Sequence, residues 1–149
     1  MKEKILRIAD KVCELIKADS PLASWVAENF SSRLTVKQGF HYLSDVKQDW
    51  LPLAVVVIGD DEEGGSGETR AAQLVVSAVI DQADHDPAVA QERIVTLARK
   101  ISRVFEEIAN ARLDGLAVWT SAGAIKTDAG SVLPRLVRTV SLSVLYEDN

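Results

Sequence analysis

Four glycines and a run of carboxylates share the segment VVVIGDDEEGGSGETR, residues 55–70, where a strand-like apolar run meets a turn. Such a setting can hold a nucleotide phosphate, gripped by the backbone N–H groups that open a helix. Gly59 and Gly64 have the P-loop spacing, but Gly65 stands where that motif needs its lysine. Gly65 and Gly67 begin a dinucleotide pattern that Arg70 breaks at the third glycine. Gly64 and Ser66 begin a hydrolase elbow that Glu68 breaks, and the residues that follow alternate like a strand. Asp60, Asp61, Glu62 and Glu63 place four negative charges where a phosphate would come. The segment therefore reads as a solvated, mobile acidic turn between two strands, and its removal over 60–68 is expected to leave the fold intact.

Other chemistry finds little material. The only histidines are His41 and His85, so neither a Ser-His-Asp nor a Cys-His arrangement can be assembled from the sequence. Asp81, Asp84, His85 and Asp86 offer oxygen and imidazole ligands, but they lack the alternation and closing glutamate of a calcium loop, and Asp86 is placed to cap a helix. No catalytic residue, cofactor site or metal site is assigned. Cys13, the single cysteine, falls on the apolar side of a helical pattern and reads as core. The aromatics of FHYLSDVKQDWLP either tuck under their loop or meet a partner. Phe40, Tyr42 and Trp50, with Trp119 beside a polar turn, are the candidates for partner contact.

The elements that would carry these residues follow from periodicity. Ile5, Ile8, Ala9, Val12, Leu15 and Ile16 recur at helical spacing over 3–18, and Ser20-Pro21 closes that helix. LASWVAENF adds a helical turn or two carrying Trp25 and Phe30 inward, and a first strand follows at about 33–37. Leu53 to Ile58 reads as a buried central strand, and Ala71 to Ile80 as a third with Ala72, Leu74, Val76, Ala78 and Ile80 on its core face. Asp86-Pro87 starts the main helix, whose buried face is Ile94, Leu97, Ala98, Ile101, Val104, Phe105 and Ile108, ending near Ala111. Leu116–Trp119 and Ala124–Thr127 form a bent fourth strand or small hairpin, and Leu136–Tyr146 the last strand. The expected fold is α+β: one mostly antiparallel sheet with two main helices on one face, in the order α-β-β-β-α-β-β.

Length and charge set outer bounds. At 149 residues the chain is expected to form a single domain, 1–149, with no internal repeat. A net charge of −5 with both signs dispersed argues against a dedicated nucleic-acid binder, which would carry a basic face. No apolar run approaches the ~20 residues that span a bilayer, and MKEKILRIAD is too charged for a targeting signal, so synthesis in the cytosol is expected.

The order of segments resembles the tail terminator proteins of long-tailed bacteriophages, of the lambda minor tail protein U type, and their prophage relatives. The matching features are the amphipathic first helix, LPLAVVVIGDD as a strand, a polar loop, the strand ETRAAQLVVSAVI, the Asp-Pro-capped helix and the closing strand RLVRTVSLSVLYED. The resemblance implies a structural, non-enzymatic subunit that forms a ring, commonly of six copies, on the end of the tail tube. Its partners would be further copies of itself, the tail tube protein and a head-completion or connector protein. It would act in the bacterial host cytoplasm during assembly and in the virion tail. The acidic segment, Asp60, Asp61, Glu62, Glu63, Glu68 and Arg70, would be an arm ordered in the ring, facing its lumen. The alternatives are another neck or tail-completion protein of similar fold, or a small-ligand or regulatory binding domain.

Overall fold

Apolar residues spaced three and four apart wind into helices, and alternating ones line a single sheet that those helices cover on one side. The computed structural model describes residues 2–39, 45–63, 69–81, 86–117, 119–127 and 135–147. Within them lie α1 (Lys4–Ala18), α2 (Ser20–Phe30), β1 (Thr35–Gln38), β2 (Leu53–Glu63), β3 (Thr69–Asp81), α3 (Pro87–Ala111), β4 (Trp119–Thr127) and β5 (Arg135–Glu147). Two 3-10 turns, Gln48–Trp50 and Arg112–Gly115, sit in the connections.

The α+β class matches expectation, but its arrangement differs in three respects. There are three helices among the described residues, because Asp19 both ends α1 and caps α2. Its carboxylate accepts the Leu22 N–H at 2.9 Å, and Pro21 occupies the first turn. Ser20-Pro21 thus opens a helix as well as closing one. The sheet is mixed, in the order β1-β2-β3-β5-β4, with β1 parallel to β2 and every other pair antiparallel. Parallel neighbours need a connection of about a dozen residues or more, and 39–52 is long enough. Finally, β3 takes the centre that the sequence reading gave to β2. Leu53, Ala54, Val55 and Val56 are buried, whereas Val57 and Ile58 are half-buried.

One apolar cluster joins the layers. Ile8, Val12 and Ile16 of α1, Leu22 and Val26 of α2, and Leu97, Ile101 and Phe105 of α3 pack on Val56, Leu74, Val76, Val140 and Leu142 of the sheet. A smaller cluster of Val46, Leu53, Val55, Val79 and Val137, with Trp50 against it, covers one corner of the opposite face. The rest of that face carries half-buried Val57, Gln73, Val75, Ser77, Thr139, Ser141 and Ser143.

Two bulges bend the sheet. The β2 register against β3 shifts between Ile58 and Asp61, and the β4 register against β5 shifts between Ala122 and Ile125. Each contains a glycine at a close approach: a Cβ on Gly59 would lie 3.1 Å from the Gln73 carbonyl oxygen, and one on Gly123 would lie 3.0 Å from Ser141 Cβ. The bent fourth strand is therefore a bulged strand, not a hairpin. Lys4 Nζ donates to the Glu147 carbonyl oxygen at 2.9 Å, which sets the start of α1 beside the β2–β3 hairpin end of the sheet.

Candidate functional site

The acidic segment is built differently from a free turn. β2 continues through Glu63 and β3 begins at Thr69, so Asp61, Glu62 and Glu63 pair in register with Ala72, Ala71 and Arg70. Without the bulge at Gly59, strand alternation would turn Asp61 to the open face. The extra residue instead places it on the helix-covered face with Ala72. There Arg70 Nε donates to Asp61 Oδ1 at 3.1 Å, and a second guanidinium nitrogen donates to the Asp61 carbonyl oxygen at 3.0 Å. Tyr146, paired with Arg70 on β5, donates its hydroxyl to the same carboxylate at 3.0 Å. The Tyr146 ring is buried, and burial, reinforced by the Asp61 carboxylate that accepts its proton, pushes the phenol up to about 12.

Asp61 is thus a bound member of a three-strand polar cluster, not a solvated charge. One carboxylate accepts from side chains on two other strands, which ties β2, β3 and β5 together at this end. Asp60 and Glu62 are exposed. They edge a shallow depression of about 250 Å³ on the open face with Ala71, Gln73, Ser143 and Leu145. The described parts of the segment are strand on both sides, β2 to Glu63 and β3 from Thr69.

The remaining candidates separate. Trp50 is half-buried against the corner cluster, with Lys37 Nζ 4.6 Å and Lys47 Nζ 5.7 Å from its ring centre. Trp119 opens β4 and pairs through its backbone with Leu145. Phe40, Tyr42 and Glu68 lie outside the described residues, as do Asp84 and His85. Asp81 ends β3, where Gln48 donates to it, and Asp86 caps α3 by accepting the Ala88 N–H at 2.8 Å. Among the described residues no three His, Cys, Asp or Glu side chains converge as metal ligands, and no helix is long and apolar enough to cross a membrane.

A feature with no single sequence signal is a cleft of about 520 Å³ between the end of α1, α2 and the outer edge of β1. Ile16, Leu22, Leu34 and Val36 contribute its apolar wall. Lys17, Arg33 and Lys37 bring positive charge, and no acidic residue lines it. On the neighbouring helical surface Trp25 and Phe30 stack edge to face at 5.8 Å, with Lys100 and Arg93 over their rings. Lys17 on α1 is brought beside the Arg33–Lys37 segment by the fold. Two buried atoms, Thr120 Oγ1 and Arg138 Nε, lack a hydrogen-bond partner among the described residues, but they lie on different strands and do not converge.

No protein-family model matches the chain, and comparison with curated proteins finds none that matches it.

Proposed function

We propose that the chain is a structural assembly subunit that forms a closed ring through sheet edges, in the manner of a phage or prophage tail terminator. In this role it caps the tail tube, ends its polymerisation and offers a surface for head joining. The observation that carries the reading is the one-sided sheet. Helices cover one face, while beyond one corner the other carries half-buried Val, Ser, Thr and Gln side chains, and β1 and β4 are edge strands. An edge strand left unpaired is a template for another chain, and assembly between subunits is one way to use it. The segment order that resembles tail terminators supports the same assignment.

The test is the mass of the purified protein by light scattering after size-exclusion chromatography, from micromolar to near-millimolar concentration. A discrete closed oligomer, near six copies, is expected. A monomer throughout would reject self-assembly in solution. The cleft favours a second reading, a small-ligand or regulatory binding domain. That reading requires a monomer whose melting temperature rises with a ligand.

A further inference from the structure

Ala23 and Ala27 lie four residues apart on α2, so their methyl groups share one face of that helix. Both are exposed, and both line the cleft of about 520 Å³ between α2, the end of α1 and β1. Side chains this short leave the space open, and its volume is that of a small-molecule site. The deeper wall belongs to the main core: Ile16, Leu22 and Val36 are buried, and half-buried Leu34 packs against that core.

The outer part of the cleft is cationic. Lys17 lies in the last turn of α1 and Arg33 follows α2; both are exposed, and neither makes an ion pair among the described residues. Lys37 also lines the cleft, but its ammonium is held over the Trp50 ring. Lys17 and Arg33 are therefore the cations positioned to receive an anion. On a chain of net charge −5 they make a local positive field, and among the described residues no carboxylate lines the cleft to cancel it.

An occupant must suit both parts. The apolar wall favours a hydrocarbon body, and the two cations favour a head that is negative at neutral pH. A ligand that is charged throughout would strand its charges against the apolar wall, and a neutral one would displace water from the cations without replacing its interactions. We propose that the cleft binds a small amphipathic carboxylate, its apolar body against Leu34 and the two alanines and its carboxylate at Lys17 and Arg33. The site is complete within one chain, so it goes beyond the ring reading, and it names the ligand class for the second.

Octanoate is the probe, titrated into the full chain by isothermal calorimetry, with octanol supplying the body without the charge and acetate the charge without the body. Octanoate is expected to bind at one molecule per chain, and each of the other two at least about tenfold more weakly. Lys17→Glu/Arg33→Glu is expected to weaken octanoate binding by about tenfold or more, whereas Arg7→Glu, which reverses an exposed cation roughly 15 Å back along α1, leaves it unchanged. Ala27→Trp fills the cleft and is expected to abolish binding while the circular dichroism spectrum stays native. No heat with millimolar octanoate overturns the site, as do equal affinity for octanol and insensitivity to the charge reversal. An acidic peptide that binds at Lys17 and Arg33 where octanoate does not also overturns it. If the double variant does not fold, Arg33→Glu alone carries the comparison. Ring formation is read separately, from the mass: a ring that ignores octanoate refutes this site and leaves the ring standing, and a monomer that binds octanoate does the reverse.

Discussion

Tyr146 shows how a side chain placed by strand alternation acquires a chemical setting from its neighbours. Its phenol is held neutral by burial and by donating to Asp61, so its folded-state pKa of about 12 lies above the ordinary value of 10.0. An acid with a raised pKa stabilises the fold fully below the unfolded value, and that contribution is lost as pH climbs from about 10 through 12. Tyr146→Phe is expected to cost about 1 kcal/mol at neutral pH and to flatten the alkaline loss of stability, as read from urea midpoints between pH 8 and 11. Asp19→Ala removes the acceptor for the Leu22 N–H. A loss of about 1 kcal/mol in the same assay is the expectation for such a cap.

At the scale of elements, α3 and the β2 bulge carry the most. Ile101 is fully buried on α3 against the sheet. Ile101→Asp would place a carboxylate in that layer and is expected to cost about 4 kcal/mol or more, so an unchanged melting temperature would remove α3 from the core. Gly59→Val would press a side chain onto the Gln73 carbonyl oxygen. A cost of about 1–3 kcal/mol is expected, and the altered bulge should also weaken the Asp61–Tyr146 contact and lower the phenol's pKa in an ultraviolet titration. Deleting 60–68, which looks harmless for a free turn, removes the paired residues Asp61, Glu62 and Glu63 and the acceptor for Arg70 and Tyr146. It is expected to lower the melting temperature clearly, with a shorter deletion confined to 64–67 tolerated better.

For the whole molecule, one cluster links all three helices to the sheet, and a cooperative unit is the physical consequence. Tryptophan fluorescence and far-ultraviolet circular dichroism should therefore report coincident unfolding. Separated transitions would divide the chain expected to act as one domain.

Helices and strands were legible in the sequence because their signals are local. The stripe Ile94, Leu97, Ala98, Ile101, Val104, Phe105 and the alternation of Val140, Leu142 and Val144 name their buried faces directly, and the structure buries all of them. Tyr146 belongs to that alternation, so its position was within reach of the sequence although its role was not. The Asp-Ser-Pro start of α2 was legible in the same terms as Asp86-Pro87. What the chain does not carry locally is pairing. The parallel β1–β2 ladder, the insertion of β5 between β3 and β4, and the bulge that turns Asp61 toward Arg70 and Tyr146 depend on residues far apart meeting. The same holds for the cleft of Lys17, Arg33 and Lys37. Composition and periodicity determine which faces must be hidden from water, because each apolar side chain carries that preference with it. Which strand lies beside which, and so which charges share a surface, only the tertiary structure decides, because backbone edges and ion pairs are satisfied between distant segments.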